Sequence, residues 1–385
     1  MENDNSQKST PHLLQKENQI FKEPNKRLKY IDVVKFIGLF CIIYDHTLSF
    51  IELKNNFTLI RRFFCGWHMP LYFFIYGMNT SSLPKNFYST FQFFNQKFQR
   101  LMVPYFIWCL IYANGLNSFN RKFFYGILYG SNLMLGEVNT NRVLWFLPCF
   151  FFSTIIYQFI TNFNYILSKR GIQPSFLAFI QCIILGFLTN FLTNKSKFGF
   201  PFSFDVSFTG VIYMLFGYFL KPIIETLYSL NNLVKLFICL CLLIICFFVS
   251  NFNVSPNSIG ACMALGDYGK SYILYIFNSL LGVIGILSLS MLFENIEIFS
   301  WFGKGSIFFM SSHYIFLQLT IPVAVEITKI ISFFYNELLP LYSDIILHIL
   351  SIPFLFLIEV YSPILMGEVH YYDKNKMKKD TLLNN

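Results

Sequence analysis

Two basic side chains, Lys35 and His46, stand within the largely apolar residues 32–51. Ionisable groups are costly inside a membrane-length segment, so each is a functional candidate by default. They stand eleven residues apart. On a helix that spacing is about three full turns, which puts both on one face and about 16 Å apart along the axis. A cation at the mouth and a titratable imidazole at depth suit a long substrate with an anionic head and a reactive far end. An acyl-coenzyme A has that shape. The plainer reading is that Lys35 snorkels to the interface and His46 bonds a neighbouring helix.

Other residues carry weaker signals. His68 sits in Trp67-His68-Met69-Pro70 and His313 follows Ser311-Ser312. Each suits either a satisfied polar contact or a site. Arg100 follows Lys97 just before Val103-Pro104. The two cations can mark topology at a membrane edge, or grip phosphates, which arginine does bidentately. Trp145, in Leu144-Trp145-Phe146-Leu147-Pro148, reads most simply as an anchor at the lipid headgroups. No cysteine spacing matches a metal site, and no metal is expected. Seven of the nine cysteines lie inside apolar runs and behave as small hydrophobes. No disulfide framework is expected, and Cys65 with Cys262 is the one loop-side pair.

The elements that must position these groups are membrane spans. Hydrophobic residues make up 55% of the chain and charged ones 13%, about half the charged share of a soluble domain. Apolar runs near the 20-residue length of a bilayer crossing recur along it. The reading is an all-α, polytopic integral membrane protein with about ten helices, near 32–51, 64–83, 101–116, 143–167, 174–192, 208–227, 233–249, 272–293, 306–325 and 345–366. Lipid leaves no alternative to helices for such runs. A short amphipathic stretch at 121–135 is expected to lie along the interface. Residues 1–29 read as a disordered cytosolic tail, 30–368 as the transmembrane domain and 369–385 as a basic cytosolic tail. The net charge is +9, but the basic residues sit at segment ends. They fit the positive-inside rule with both termini cytosolic better than nucleic-acid binding.

The pattern as a whole resembles the acyltransferase-3 family of integral membrane O-acyltransferases, on its sugar or fucose O-acetylase side. The stretch Arg27-Leu28-Lys29-Tyr30-Ile31-Asp32-Val33-Val34-Lys35 through Tyr44-Asp45-His46 resembles the family's opening helix, a basic residue, ten others, then histidine. His68-Met69-Pro70-Leu71-Tyr72-Phe73-Phe74 to Gly77 is similar to its second. Lys97 to Pro104-Tyr105 and Leu144-Trp145-Phe146-Leu147-Pro148 resemble its third and fourth. Phe216-Gly217-Tyr218, Tyr268-Gly269-Lys270 and Phe302-Gly303-Lys304 to Ser312-His313 match later segments in order. Lys35 stands where arginine is commoner, and Tyr76-Gly77 replaces a frequent Ser-Gly.

This resemblance implies transfer of an acyl group, usually acetyl, from cytosolic acyl-coenzyme A to a hydroxyl of a cell-envelope sugar or polysaccharide. It implies a multi-pass protein of the bacterial cytoplasmic membrane, with acyl-coenzyme A, a carbohydrate acceptor and lipid as partners. His46 is the expected catalytic base, with a pKa suited to that work near neutrality. An acyl-histidine intermediate is equally drawable. Lys35 and Arg100 are the expected coenzyme-binding residues. His68, His313, Asp32 and Trp145 are further site candidates. The rival reading is a non-enzymatic exporter of an envelope glycan.

Overall fold

The computed structural model describes residues 28–50, 58–80, 87–113, 120–138, 142–193, 198–255 and 260–330, with position 349. The tails read from sequence and the expected span at 345–366 lie outside these, position 349 and residues 28 and 29 apart, and Lys29, read as the end of the tail, already begins the first helix. Among the described residues the structure is helical throughout, and the only extended pairing is an isolated bridge between Cys262 and Asp267.

The first helix, α1, runs Lys29–Phe50. The apolar run expected as one helix at 64–83 is instead two, α2 at Thr58–Cys65 and α3 at His68–Asn79. The chain turns at Gly66, where close packing demands glycine, since a Cβ there would meet the side chains of Asn278 at 2.6 Å and Ser250 at 2.9 Å. The third expected helix also begins far earlier than 101. It starts as α4, Phe87–Lys97, widens into a π-turn at Phe98–Met102 and continues as α5, Val103–Ile111. The stretch expected to be one amphipathic helix at 121–135 divides into α6, Arg121–Tyr129, and α7, Asn132–Glu137. Gly130 at φ 65 separates them, the left-handed residue that commonly ends a helix.

The longer helices follow. A 3-10 turn at Arg142–Trp145 leads into α8, Phe146–Ser168. Then come α9 at Pro174–Thr193, α10 at Phe204–Ser229, α11 at Asn232–Phe252 and α12 at Tyr272–Leu292. Short α13, Glu297–Lys304, precedes α14, Ser306–Ile330. Polar residues mark several starts. The Asn120 and Asn231 carboxamides each accept the third amide of their helix at 2.9 Å, satisfying an otherwise orphaned donor. Five helices among the described residues are long and apolar enough to cross a membrane, with their preceding turns Arg142–Ser168, Pro174–Thr193, Pro201–Ser229, Asn232–Phe252 and Tyr272–Leu292.

Helix association inside lipid depends on close packing more than on the hydrophobic effect, and small residues provide it here. The α3–α10 crossing brings Gly77 and Gly217 against backbone. A Cβ on Gly77 would overlap the Met214 carbonyl, and one on Gly217 the Phe74 carbonyl. Gly303 of α13 sits likewise on the Asp32 carbonyl of α1. By contrast α9 and α11 bury little of their length and turn Phe179, Phe187, Leu233 and Phe237 outward, as lipid-facing helices do.

Candidate active site

One cavity of about 600 Å³ lies at the end of the bundle where α1 finishes. His46 contributes to its wall from the last turns of α1. Around it stand Arg61 and Cys65 of α2, His68 of α3, Trp145 of the 3-10 turn and Tyr314 of α14. The helix break at Gly66 makes this possible. An unbroken second helix would carry residues 58–65 away along the axis instead of across the mouth.

His46 is half-buried and packs its ring on α14. Its centroid is 5.2 Å from that of His313 and 5.3 Å from that of Tyr314. The Tyr314 hydroxyl is 3.4 Å from His46 Nδ1, a long contact for a hydrogen bond. His313 is fully buried. Its Nδ1 lies 3.0 Å from both the Phe309 and Met310 carbonyls. Carbonyls only accept, so that nitrogen carries the proton. The two histidines singled out in sequence are therefore neighbours in space. His68 joins the same cavity, and its Nδ1 donates to the Phe64 carbonyl.

Asp45 also lines the cavity, from a different side of α1 than His46. Consecutive helix positions diverge by about 100°, and its carboxylate meets Arg61 Nε at 2.9 Å and Cys65 Sγ at 3.8 Å. Burial disfavours the Arg61 charge, but the Asp45 carboxylate and its hydrogen bond outweigh this and raise the guanidinium pKa. Trp145 is 3% exposed and stands edge-on to Phe146. It is a cavity wall and not the headgroup anchor its position in sequence indicated, because the 3-10 turn folds it inward.

Lys35 and Arg100 belong to the opposite end, and neither is in the cavity lining. Lys35 Nζ is 3.3 Å from Asp32 Oδ1. Asp32 is buried, and 28% of the Lys35 side chain stays exposed, so the ammonium reaches outward while its partner anchors it. The Tyr72 hydroxyl donates to the Lys35 carbonyl at 2.9 Å. One turn further along α3, Tyr76 carries Lys97 Nζ over its ring at 4.6 Å. Arg100 follows on the π-turn and is exposed. The distortion matters because a π-turn shifts the face that later residues present. Lys35, Lys97 and Arg100 thus gather towards one end of the bundle, with His46 towards the other. No group of three or more His, Cys, Asp or Glu residues suited to a metal ion occurs among the described residues.

Sequence reasoning missed Tyr314 and the Asp45–Arg61 pair. A polar aromatic directly after His313 in an apolar run was the available signal for the first. The second had none, since residues sixteen apart on separate helices pair only through the tertiary fold.

Residues 28–360 match the family model of an acyltransferase domain. No curated protein and no solved structure matches the chain.

Proposed function

Because the chain belongs to the acyltransferase-3 family, we propose that it moves an acyl group, usually acetyl, from acyl-coenzyme A to a hydroxyl of a cell-envelope sugar, in the bacterial cytoplasmic membrane. The observation that carries this reading is the division of α1. Its imidazole faces a cavity large enough for a sugar, and its ammonium lies near the other end. Acceptor and donor then approach His46 from opposite sides. Lys35 and Arg100 hold the coenzyme phosphates in the cytosol, and the pantetheine arm carries the thioester inward. A 600 Å³ space is within the usual range for small-molecule sites.

In this mechanism His46 Nε2 takes the proton of the acceptor hydroxyl while Nδ1–H points to the Tyr314 oxygen. The hydroxyl oxygen bonds to the thioester carbonyl carbon, the carbon–sulfur bond breaks, and the coenzyme thiolate leaves with the proton from the imidazolium. Tyr314 is a positioning residue, since it acts by holding the ring. His68 and Trp145 line the cavity around it, and His313 packs against the His46 ring.

Between the two ends, α1 buries Leu39, Ile42 and Ile43 in the core. The test is transfer of labelled acetyl from acetyl-coenzyme A to envelope carbohydrate, in membranes carrying the wild-type chain or His46→Ala. Label that appears in carbohydrate only with the wild type supports the reading. Equal labelling in both, or none in either while glycan export depends on the chain, overturns it.

A further inference from the structure

Three arginines line the cavity, from two separate parts of the chain. Arg61 and Arg62 come from α2 and Arg142 from the 3-10 turn. The chain has seven arginines and twenty-two lysines, yet no lysine lines this cavity. The choice matters chemically. Lysine is a mobile point charge, whereas the planar guanidinium offers parallel donors that match a carboxylate or a phosphate.

Each arginine is set against a definite partner. Arg61 donates Nε to Asp45 Oδ1 at 2.9 Å, which fixes the plane of its fork. The stem of Arg62 lies on Gly260, where a Cβ would stand 2.9 Å from Cγ. Arg142 lays its guanidinium across Gly136 of α7, so that a Cβ there would overlap Nε and stand 2.7 Å from Cζ. Two glycines thus clear the wall for two arginine side chains.

The opposing charges in the lining are Asp45 and Asp267. Asp45 is taken by Arg61. Asp267 Oδ1 accepts the Ser255 hydroxyl and the Gly269 amide, both at 3.0 Å. Counting histidine as neutral, three cations against two anions leave the lining one net positive charge. A guest with a single negative charge balances it. Low-dielectric walls focus such a field, and Met69, Val143 and Met310 supply them here.

We propose that the acceptor of this cavity is an acidic carbohydrate, whose carboxylate or phosphodiester is held by the cavity arginines while its hydroxyl is presented to His46. This rests on reading the cavity as the acceptor site. It narrows that reading from sugars at large to those with a negative charge near the acylated hydroxyl. Arg61 has a supporting part, since an Asp45 carboxylate without its guanidinium would repel the guest.

The full chain in detergent micelles is titrated with D-glucuronate, with glycerophosphoglucose (glucose joined to glycerol through a phosphodiester) and with D-glucose as the neutral control. Binding is read by ligand-detected NMR with no coenzyme present. The expected result is a preference of about tenfold or more for one of the anions over glucose, the size of one charge-assisted hydrogen bond. The two anionic arms tell a carboxylate acceptor from a phosphodiester one. The preference is expected to weaken as sodium chloride is raised, and to vanish in the double variant Arg62→Gln/Arg142→Gln. That variant is expected to melt near the wild type, because Arg142 is exposed and its carbonyl, which Asn132 Nδ2 approaches at 3.4 Å, is unchanged. Glucose bound as tightly as both anions by the wild type overturns the assignment whatever the variant does. So does a folded double variant that keeps the preference. The experiment reads no acyl transfer, so failure of anion selectivity and failure of the proposed reaction are separate outcomes.

Discussion

Replacing His46 by alanine separates chemistry from folding better than any other single change in this protein. A general base contributes about 10² to 10⁴ in rate, or about 3 to 5 kcal/mol at roughly 1.4 kcal/mol per decade. The folding cost works out far smaller. The substitution removes one polar interaction, the 3.4 Å approach of Tyr314, and an interhelical hydrogen bond in a membrane averages about 0.6 kcal/mol. Because the ring already borders the 600 Å³ cavity, its removal enlarges an existing space and seals no new void. His313→Ala is the contrasting control. That ring is fully buried, and emptying a packed site costs several kcal/mol, about 2 to 5 for large-to-alanine changes. Acetyl transfer from labelled acetyl-coenzyme A, normalised to inserted protein, is expected to fall at least a hundredfold in His46→Ala with melting temperature nearly unchanged. His313→Ala is expected to lose folded protein. Turnover within a few-fold of wild type in His46→Ala refutes the base assignment, whatever His313→Ala does.

Tyr314→Phe should lower turnover by a few-fold to about tenfold, the range of one hydrogen bond of about 0.5–1.5 kcal/mol, and should shift the pH profile. An unchanged rate and profile would show that the contact does not orient His46. Lys35→Ala and Arg100→Ala should weaken acyl-coenzyme A binding, with Lys35→Arg retaining much activity. Donor affinity unchanged in both alanine variants leaves them as topology markers. Gly77→Ala or Gly217→Ala should lower thermal stability in detergent, since overpacking costs about 1–3 kcal/mol or more and both faces are backbone. Melting equal to wild type would mean the crossing is looser than described. A reporter fused after Asn385 should read cytosolic and one inserted at Lys195 external, and a non-cytosolic C-terminus would refute the expectation of an even number of spans.

The sequence made the long spans legible because α8 to α12 are continuous apolar runs whose ends carry polar caps such as Asn231. It failed where a break answers to distant residues. Nothing local distinguishes Gly66 from a tolerated helix glycine, since the crowding comes from Ser250 and Asn278. The early start of α4 was hidden because Phe87–Lys97 mixes polar and aromatic residues and has no span-like hydropathy. His46, His68, His313 and Trp145 were visible singly as unusual residues in apolar surroundings. Their common neighbourhood was not, because it depends on α14 folding back against α1. Lys35 and His46 on one helix were the part of the site whose separation could be worked out by spacing alone.

The paired glycines at the α3–α10 crossing have a mechanical consequence. Where backbone meets backbone there is no side chain to rotate and take up strain, so the two helices move as one stiff beam. His68 and Met69, at the head of that beam, form a fixed jamb of the cavity.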